Sequence, residues 1–115
     1  MDFKKQKPIY LQIADRLMEQ ILDGQPPEDD RMPSVRDVAE RMGVNPNTVM
    51  RTFEYLQGEA IIYNRRGVGY FVAPKAKEHI VKQNRQYFIE EELPEFVQRM
   101  NMLGLTWEDL MQVTK

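Results

Sequence analysis

Residues 31–72 read RMPSVRDVAERMGVNPNTVMRTFEYLQGEAIIYNRRGVGYFV, and this stretch decides the fold. Its pattern predicts two short helices joined by a tight turn and followed by a β-hairpin tipped with glycine. An exposed second helix that starts with polar residues, next to such a hairpin, is typical of a winged helix-turn-helix. In that arrangement the second helix enters the major groove of DNA and the hairpin lies beside it.

Local signals set the ends of the two helices. Ser34 is a favourable N-cap, and Asp37 three residues later predicts a reciprocal capping box. Gly43 supplies a left-handed residue where the first of the two helices should end. Asn45 is a favourable N-cap for the second helix, and Pro46 fits its first turn.

Helical spacing divides the second helix into two faces. Val49, Phe53 and Leu56 recur at i, i+4 and i+7, so we expect them to face the core. Gly58 is expected to end the helix. The remaining side chains should lie on the open side, namely Asn47, Thr48, Arg51, Thr52 and Tyr55.

The hairpin is predicted from two runs of β-branched and aromatic residues, 61–63 and 70–72. Two glycines between the runs permit positive φ and a close approach of the backbone to a partner. Two arginines at the tip are poor core residues but good ligands for phosphate or the minor groove. These four residues are Arg65, Arg66, Gly67 and Gly69.

The rest of the chain is predicted to be mostly helical. Residues 8–23 repeat Ile9, Ile13, Leu17 and Ile21 every fourth position, as one helix would, and 25–31 form an acidic, proline-rich loop. Residues 76–103 have a helical pattern that Pro94 should kink or divide. Thr106 and Asp109 predict a second capping box and a short final helix.

We therefore expect an α+β, mainly α, fold, with a winged domain over 1–73 and a helical tail over 74–115. The tail is too short for a core of its own, so its apolar side chains must pack on the winged domain or on another chain. Dimerisation is favoured, because helix-turn-helix proteins commonly pair to span two half-sites. The predicted dimerisation residues are Tyr87, Phe88, Leu93, Phe96, Val97, Met100, Leu103 and Trp107.

The net charge of −2 argues mildly against DNA binding. Residues 31–66, however, carry six arginines against four acidic residues. Charges beyond about 10 Å are largely screened at physiological salt, so this local excess matters more than the total. The acidic clusters lie elsewhere, in 28–30 and 90–92.

Other function classes find no support in the composition. The chain has no cysteine and one histidine, His79, and it contains no P-loop, so we expect neither an enzyme nor a metal or other cofactor. No apolar run approaches the roughly 18 residues that span a bilayer. A cytoplasmic protein that does not bind membranes is expected.

The motifs PSVRDVAERMGVNPNTV, LQGEAI and GVGYFV, in this order, resemble the DNA-binding domain of the GntR family of bacterial transcription regulators. The similarity covers about the first two-thirds of the chain, and the short helical tail resembles that of the YtrA-type branch. Two places depart from the family pattern: residues 26–30 replace a Pro-Gly pair, and Met32 replaces a leucine. The resemblance implies that Arg36 contacts the DNA backbone or a base edge.

Each candidate DNA-binding residue also has a simpler structural interpretation. Asn47 and Thr48 can reach base edges or merely begin a helix, and Arg51 can bind DNA or pair with a neighbouring acid. Ser34 and Asn45 are caps first and DNA ligands second. The predicted DNA-binding residues are Ser34, Arg36, Asn45, Asn47, Thr48, Arg51, Arg65, Arg66, Gly67 and Gly69.

These observations predict a homodimeric transcription regulator, expected to be a repressor, that binds an inverted-repeat operator in double-stranded DNA. The alternative is a protein–protein adaptor that uses the winged fold as a scaffold and the Met- and aromatic-rich tail as its binding surface. A third interpretation is a ligand-sensing pocket between tail and domain. The sequence does not identify a small-molecule effector.

Overall fold

The computed structural model describes residues 7–114 and confirms a mainly helical winged helix-turn-helix with one small antiparallel sheet. The chain divides into two compact units, the first ending at Ile80 and the second beginning at Val81. The domain boundary after residue 73 stays a prediction. Across residues 7–114, every helix is too short or too polar to cross a membrane.

The first unit combines helices with the hairpin. Its elements are α1 (Ile9–Leu22), α2 (Val35–Met42), α3 (Pro46–Gly58), β1 (Ile62–Arg65), β2 (Gly69–Val72) and the start of α4 (Ala76–Tyr87). The strands pair with Ile62 opposite Val72 and Arg65 opposite Gly69. Three residues therefore form the turn of the wing.

The predicted caps of the helix-turn-helix are confirmed, with one exception. Ser34 Oγ accepts a hydrogen bond from the Asp37 N–H at 3.0 Å, but the reverse bond of a capping box does not form. Gly43 is left-handed, with φ of 65°. Asn45 Oδ1 accepts a hydrogen bond from the Asn47 N–H at 2.7 Å, and α3 follows.

A single apolar core lies between α1, α2, α3 and the sheet. Phe53, Leu56 and Ile21 are among its largest fully buried side chains. Ala76 and Ile80 of α4 join this core, which explains why the first unit extends beyond the wing. Of the repeat that predicts α1, Ile13, Leu17 and Ile21 are buried, whereas Ile9, the first residue of the helix, is 58% exposed.

The last residues of the loop predicted over 25–31 pair with the outer edge of β2, and we call them the edge segment. Arg31 forms a bridge with Phe71, and the Met32 N–H donates to the Tyr70 carbonyl at 2.7 Å. The Val72 N–H donates to the Asp30 carbonyl at 2.9 Å. The acidic sequence has no strand pattern, so only the unpaired edge of β2 accounts for this pairing.

The predicted end of α3 at Gly58 is confirmed. The left-handed residue that follows the helix is Ala60, with φ of 61°. The N–H of the following residue, Ile61, donates back to the Leu56 carbonyl at 2.9 Å. The chain therefore turns away from α3 at an alanine two residues after the last helical residue, Gly58.

The second unit contains the rest of α4, a π-helical segment (Phe88–Glu92), α5 (Leu93–Met102) and α6 (Trp107–Val113). The predicted division of the long helix at Pro94 is confirmed. A proline has no N–H and its ring crowds the carbonyl four residues earlier, here Glu90, so the wider π turns fall where an α-helix cannot continue. The capping box between Thr106 and Asp109 forms with both of its hydrogen bonds.

Candidate nucleic-acid interface

The solvent side of α3 has an exposed line of polar side chains. Asn47, Arg51 and Glu54 lie along it, one turn apart, opposite the buried Val49, Phe53 and Leu56. Thr48 is half-buried at one margin. Asn47 and Arg51 match the predicted open face, and Glu54 is a further exposed residue that the prediction did not include. Their spacing lets one helix present them together to a groove.

Two residues assigned to that face are placed differently. Thr52 is fully buried, because it lies three residues after Val49 and four before Leu56, on the same side of the helix. Its hydroxyl donates to the Tyr10 carbonyl of α1 at 2.8 Å, with the Thr48 carbonyl 3.1 Å away. Tyr55 is half-buried against the same helix. The open face is therefore narrower than predicted.

Arg51 is held by an aromatic ring and not by an acid. Its guanidinium carbon lies 4.1 Å from the ring centroid of Tyr10. Among the described residues, no carboxylate lies within 4.0 Å of Arg51, so the alternative pairing with Glu54 does not form. The hydrogen-bonding edge of Arg51 stays available to a ligand.

The wing presents its arginines in two ways. Arg66 and Gly67 lie in the exposed turn, where Gly67 has φ of 77°. Arg65 is not at the tip as predicted, because it pairs with Gly69 as the last residue of β1. Its guanidinium lies over the ring of Phe71, 4.9 Å from the centroid. Only Arg66 is free to extend beyond the strands.

Sequence reasoning missed Arg31, which the edge segment brings alongside β2 of the wing. A Cβ added to Gly69, whose φ is 143°, would lie 3.0 Å from the Arg31 Nε. Gly69 thus leaves room for this guanidinium, and any side chain would displace it. Because the contact joins the segment before α2 to the wing, no local pattern could have revealed it.

The N-terminus of α2 contributes the remaining predicted residues. Ser34 and Arg36 are exposed, and Arg36 makes no ion pair with Asp37 or Glu40 of its own helix. An open, mostly polar pocket of about 800 Å³ lies beside this helix start. Ser34, Arg31 and Arg41 are among the residues that line it.

Met50 is a second residue that sequence reasoning missed. It lies on α3 toward the wing, is 40% exposed, and receives a hydrogen bond from the Tyr70 hydroxyl at 3.9 Å. Tyr70 also packs edge-on against Phe53, with ring centroids 5.0 Å apart. These contacts fix the wing against α3, and Met50 stands beside the polar line as an apolar side chain.

The predicted dimerisation residues lie in α4, the π-helical segment, α5 and at the start of α6, except Leu103, which is the C-cap of α5. Phe96 and Trp107 stack at 6.4 Å, and each leaves about half of its surface exposed. Met100 is only 6% exposed within the single chain, so it offers little surface to a second copy. Leu93 and Val97 are half-buried, while Tyr87, Phe88 and Leu103 are exposed.

Comparison with known proteins matches residues 9–72 to the family described as "Bacterial regulatory proteins, gntR family". The chain belongs to the GntR family. As a member of this family it is a DNA-binding transcription regulator with a winged helix-turn-helix. Its fold and its relatives are those of transcription regulators and not of enzymes.

Relatives of this GntR-family chain match it over nearly its whole length. The uncharacterised HTH-type transcriptional regulator YhcF of Bacillus subtilis is 40% identical over 98% of this chain and 92% of its own. The HTH-type transcriptional repressor YtrA of the same bacterium is 32% identical over 100% of this chain and 88% of its own. The short tail thus belongs with the YtrA-type branch.

A solved structure from Bacteroides thetaiotaomicron, described as a GntR-family transcriptional regulator, superimposes with a TM-score of 0.80. It is 44% identical and covers 93% of each chain. YhcF and YtrA, which match nearly the whole chain, are both named as transcription regulators. These names favour the regulator over the adaptor interpretation.

Proposed function

We propose that this regulator binds an inverted-repeat operator as a homodimer and reads each half-site with the exposed line of α3. The observation that carries the proposal is Arg51, an arginine in the middle of that line with no acidic partner among the described residues. A guanidinium in this position suits the O6 and N7 acceptors of guanine, which it can contact bidentately.

The neighbouring residues supply complementary contacts in this proposal. Asn47, in the first turn of α3, is positioned for a base edge or a phosphate, since helix N-termini favour anions. Arg66 in the turn of the wing contacts backbone phosphate or the minor groove. Met50 offers an apolar surface suited to the methyl group of thymine.

Selection of binding sites from a pool of random DNA duplexes would identify the operator. Arg51→Ala should then weaken operator binding by roughly 1–3 kcal/mol and relax the base preference at one position of each half-site. Arg16→Ala is the matched control, because it removes the same charge from an exposed position of α1. If the two substitutions weaken operator binding equally, Arg51 contributes only its charge, and the proposal that it contacts a base is refuted.

The homodimer is supported by the apolar surface of the second unit. Large exposed side chains include Phe88, Phe96, Leu103 and Trp107. So many exposed apolar side chains on so small a unit are expected to be covered by a partner. A second copy is the partner that inverted half-sites require, because a two-fold protein matches a two-fold operator.

Sedimentation of the full chain tests this assembly. Phe96→Asp should shift the protein to monomers, because it places an unpaired charge within the apolar contact. Gln98→Asp introduces the same charge at another exposed position of α5 and should leave the dimer intact. A dimer that persists in Phe96→Asp would move the interface away from this surface.

We also propose that binding represses transcription. YtrA, which matches over the whole chain, is named a transcriptional repressor. A reporter gene placed behind the selected operator should be less active when the protein is produced and should recover with Arg51→Ala. Higher reporter activity with the wild-type protein would identify an activator.

A further inference from the structure

Tyr10 is the residue of α1 on which the guanidinium of Arg51 rests. The guanidinium carbon is 4.1 Å from the ring centroid, the distance of a close cation–π contact. In the sequence, α1 is a helix that serves the core, and nothing in its pattern connects it with DNA. The contact joins its first turn to the centre of the exposed line of α3.

The ring of Tyr10 is itself fixed by α3. The buried Thr52 hydroxyl donates to the Tyr10 carbonyl at 2.8 Å, which ties the backbone of Tyr10 to α3. Tyr55 packs edge-on against the ring, with centroids 6.2 Å apart and planes at 78°. Burial raises the pKa of the Tyr55 phenol, with Glu59 adding to the effect, so this neighbour stays neutral.

Stacking on a ring restricts Arg51 without occupying its hydrogen-bonding groups. A guanidinium is planar, its N–H donors lie in that plane, and the ring contacts only its face. No described carboxylate competes for those donors. A side chain with fewer rotamers to lose pays less conformational entropy on binding, so a prearranged Arg51 binds more tightly than a free one.

We propose that Tyr10 is a positioning residue for DNA recognition: it orients Arg51 for a guanine edge and thereby contributes to base preference. This inference rests on the proposed function, since it needs an operator that Arg51 reads. In this proposal α1 contributes to base preference through Tyr10, whereas the wing contributes contacts to phosphate.

The test measures binding of the full chain to the selected operator and to the same duplex with the guanine opposite Arg51 replaced. Tyr10→Phe keeps the aromatic face and should bind as the wild type does. Tyr10→Leu should lose about two- to tenfold in operator affinity, because one more side chain then has to be immobilised on binding. It should lose less on the replaced duplex, and the salt dependence of binding should not change.

A double-mutant cycle with Arg51→Ala decides whether Tyr10 acts through Arg51. In the Arg51→Ala background Tyr10→Leu should have no further effect, because the contact is already gone. An equal loss in both backgrounds would show an independent or merely structural role and overturn the proposal. Tighter binding by Tyr10→Leu would also overturn it, since the ring would then be withholding Arg51 from DNA.

The proposed function can fail separately. If the wild-type protein binds all duplexes alike, there is no base preference to position, and both proposals fall. If the wild type selects an operator but Tyr10→Leu matches it in affinity and base preference, only the role of Tyr10 is refuted. Thermal unfolding of each variant confirms that the compared proteins are folded.

Discussion

The ends of α1, α3 and α5 share one hydrogen-bonding pattern, but α3 has an alanine where the other two have a glycine. In α1, α3 and α5 the residue after the C-cap is left-handed, and the N–H that follows it donates to a carbonyl five residues earlier, as in a Schellman motif. The left-handed residues are Gly24 with φ of 80°, Ala60 with φ of 61° and Gly104 with φ of 71°. Ala60→Gly should therefore stabilise the protein.

The size of this effect follows from two opposing terms. A left-handed conformation costs a residue with a Cβ roughly 1–2 kcal/mol. Glycine also increases the conformational entropy of the unfolded chain, which lowers the free energy of unfolding by about 0.4–1 kcal/mol. The expected net gain is therefore about 1 kcal/mol, the difference between these two ranges.

Gly58 allows the complementary change two residues earlier. It lies in the last turn of α3, and a Cβ built there meets no atom within 4 Å. Gly58→Ala should add about 0.5 kcal/mol, because glycine is an unfavourable residue inside a helix. Exchanging the two residues moves the glycine from a helical position to the left-handed one, so both changes should stabilise.

Urea and thermal unfolding measure these effects on the full chain. A gain of about 1 kcal/mol should raise the Tm by about 4 °C for a protein of this size. Gly24→Ala, which makes the opposite change in the matching ending of α1, should destabilise by a similar amount. If Ala60→Gly leaves stability unchanged or lowers it while Gly24→Ala destabilises, the left-handed strain assigned to Ala60 does not exist.

Two further predictions concern the wing and the contact between α1 and α3. Arg66→Ala should weaken binding to all duplexes and lower the slope of log K against log salt by about one unit if Arg66 contacts phosphate. Arg65→Ala should have the smaller effect on the slope, since Arg65 rests on Phe71; the reverse order would refute this placement. Thr52→Val should lower the free energy of unfolding by about 1 kcal/mol through loss of the hydrogen bond to Tyr10. A stability equal to that of the wild type in urea unfolding would mean that this hydrogen bond contributes nothing.

The helix-turn-helix could be predicted because its ends are determined by local chemistry. Ser34 and Asn45 cap with their own side chains, and Gly43 supplies its own left-handed backbone. The left-handed turn after α3 could not be predicted in this way, because Ala60 adopts a conformation that its side chain disfavours. There, the burial of Ile61 and Leu56 holds the turn in place, and tertiary packing outweighs local preference.

The edge segment beside β2 is a second place where local sequence does not predict the structure, here because the partner is distant in the chain. Residues 28–30 are acidic and carry no strand pattern, yet Asp30 and Arg31 pair with β2. The pairing satisfies backbone groups that β2 would otherwise leave open, a need that belongs to the sheet and not to the segment. Arg31 reaches the wing only through this pairing, which is why its local sequence could not assign it there.

The candidate site combines both kinds of information. Helical period predicts that Asn47 and Arg51 face outward, since that depends only on where the core positions of α3 fall. It does not predict what holds them, because Tyr10 lies 42 positions before Thr52, to which its backbone is bonded. If Arg51 reads a base as proposed, its contact with the Tyr10 ring leaves it less conformational freedom to lose on binding. A change at Tyr10 should then alter base preference while every residue of α3 stays the same.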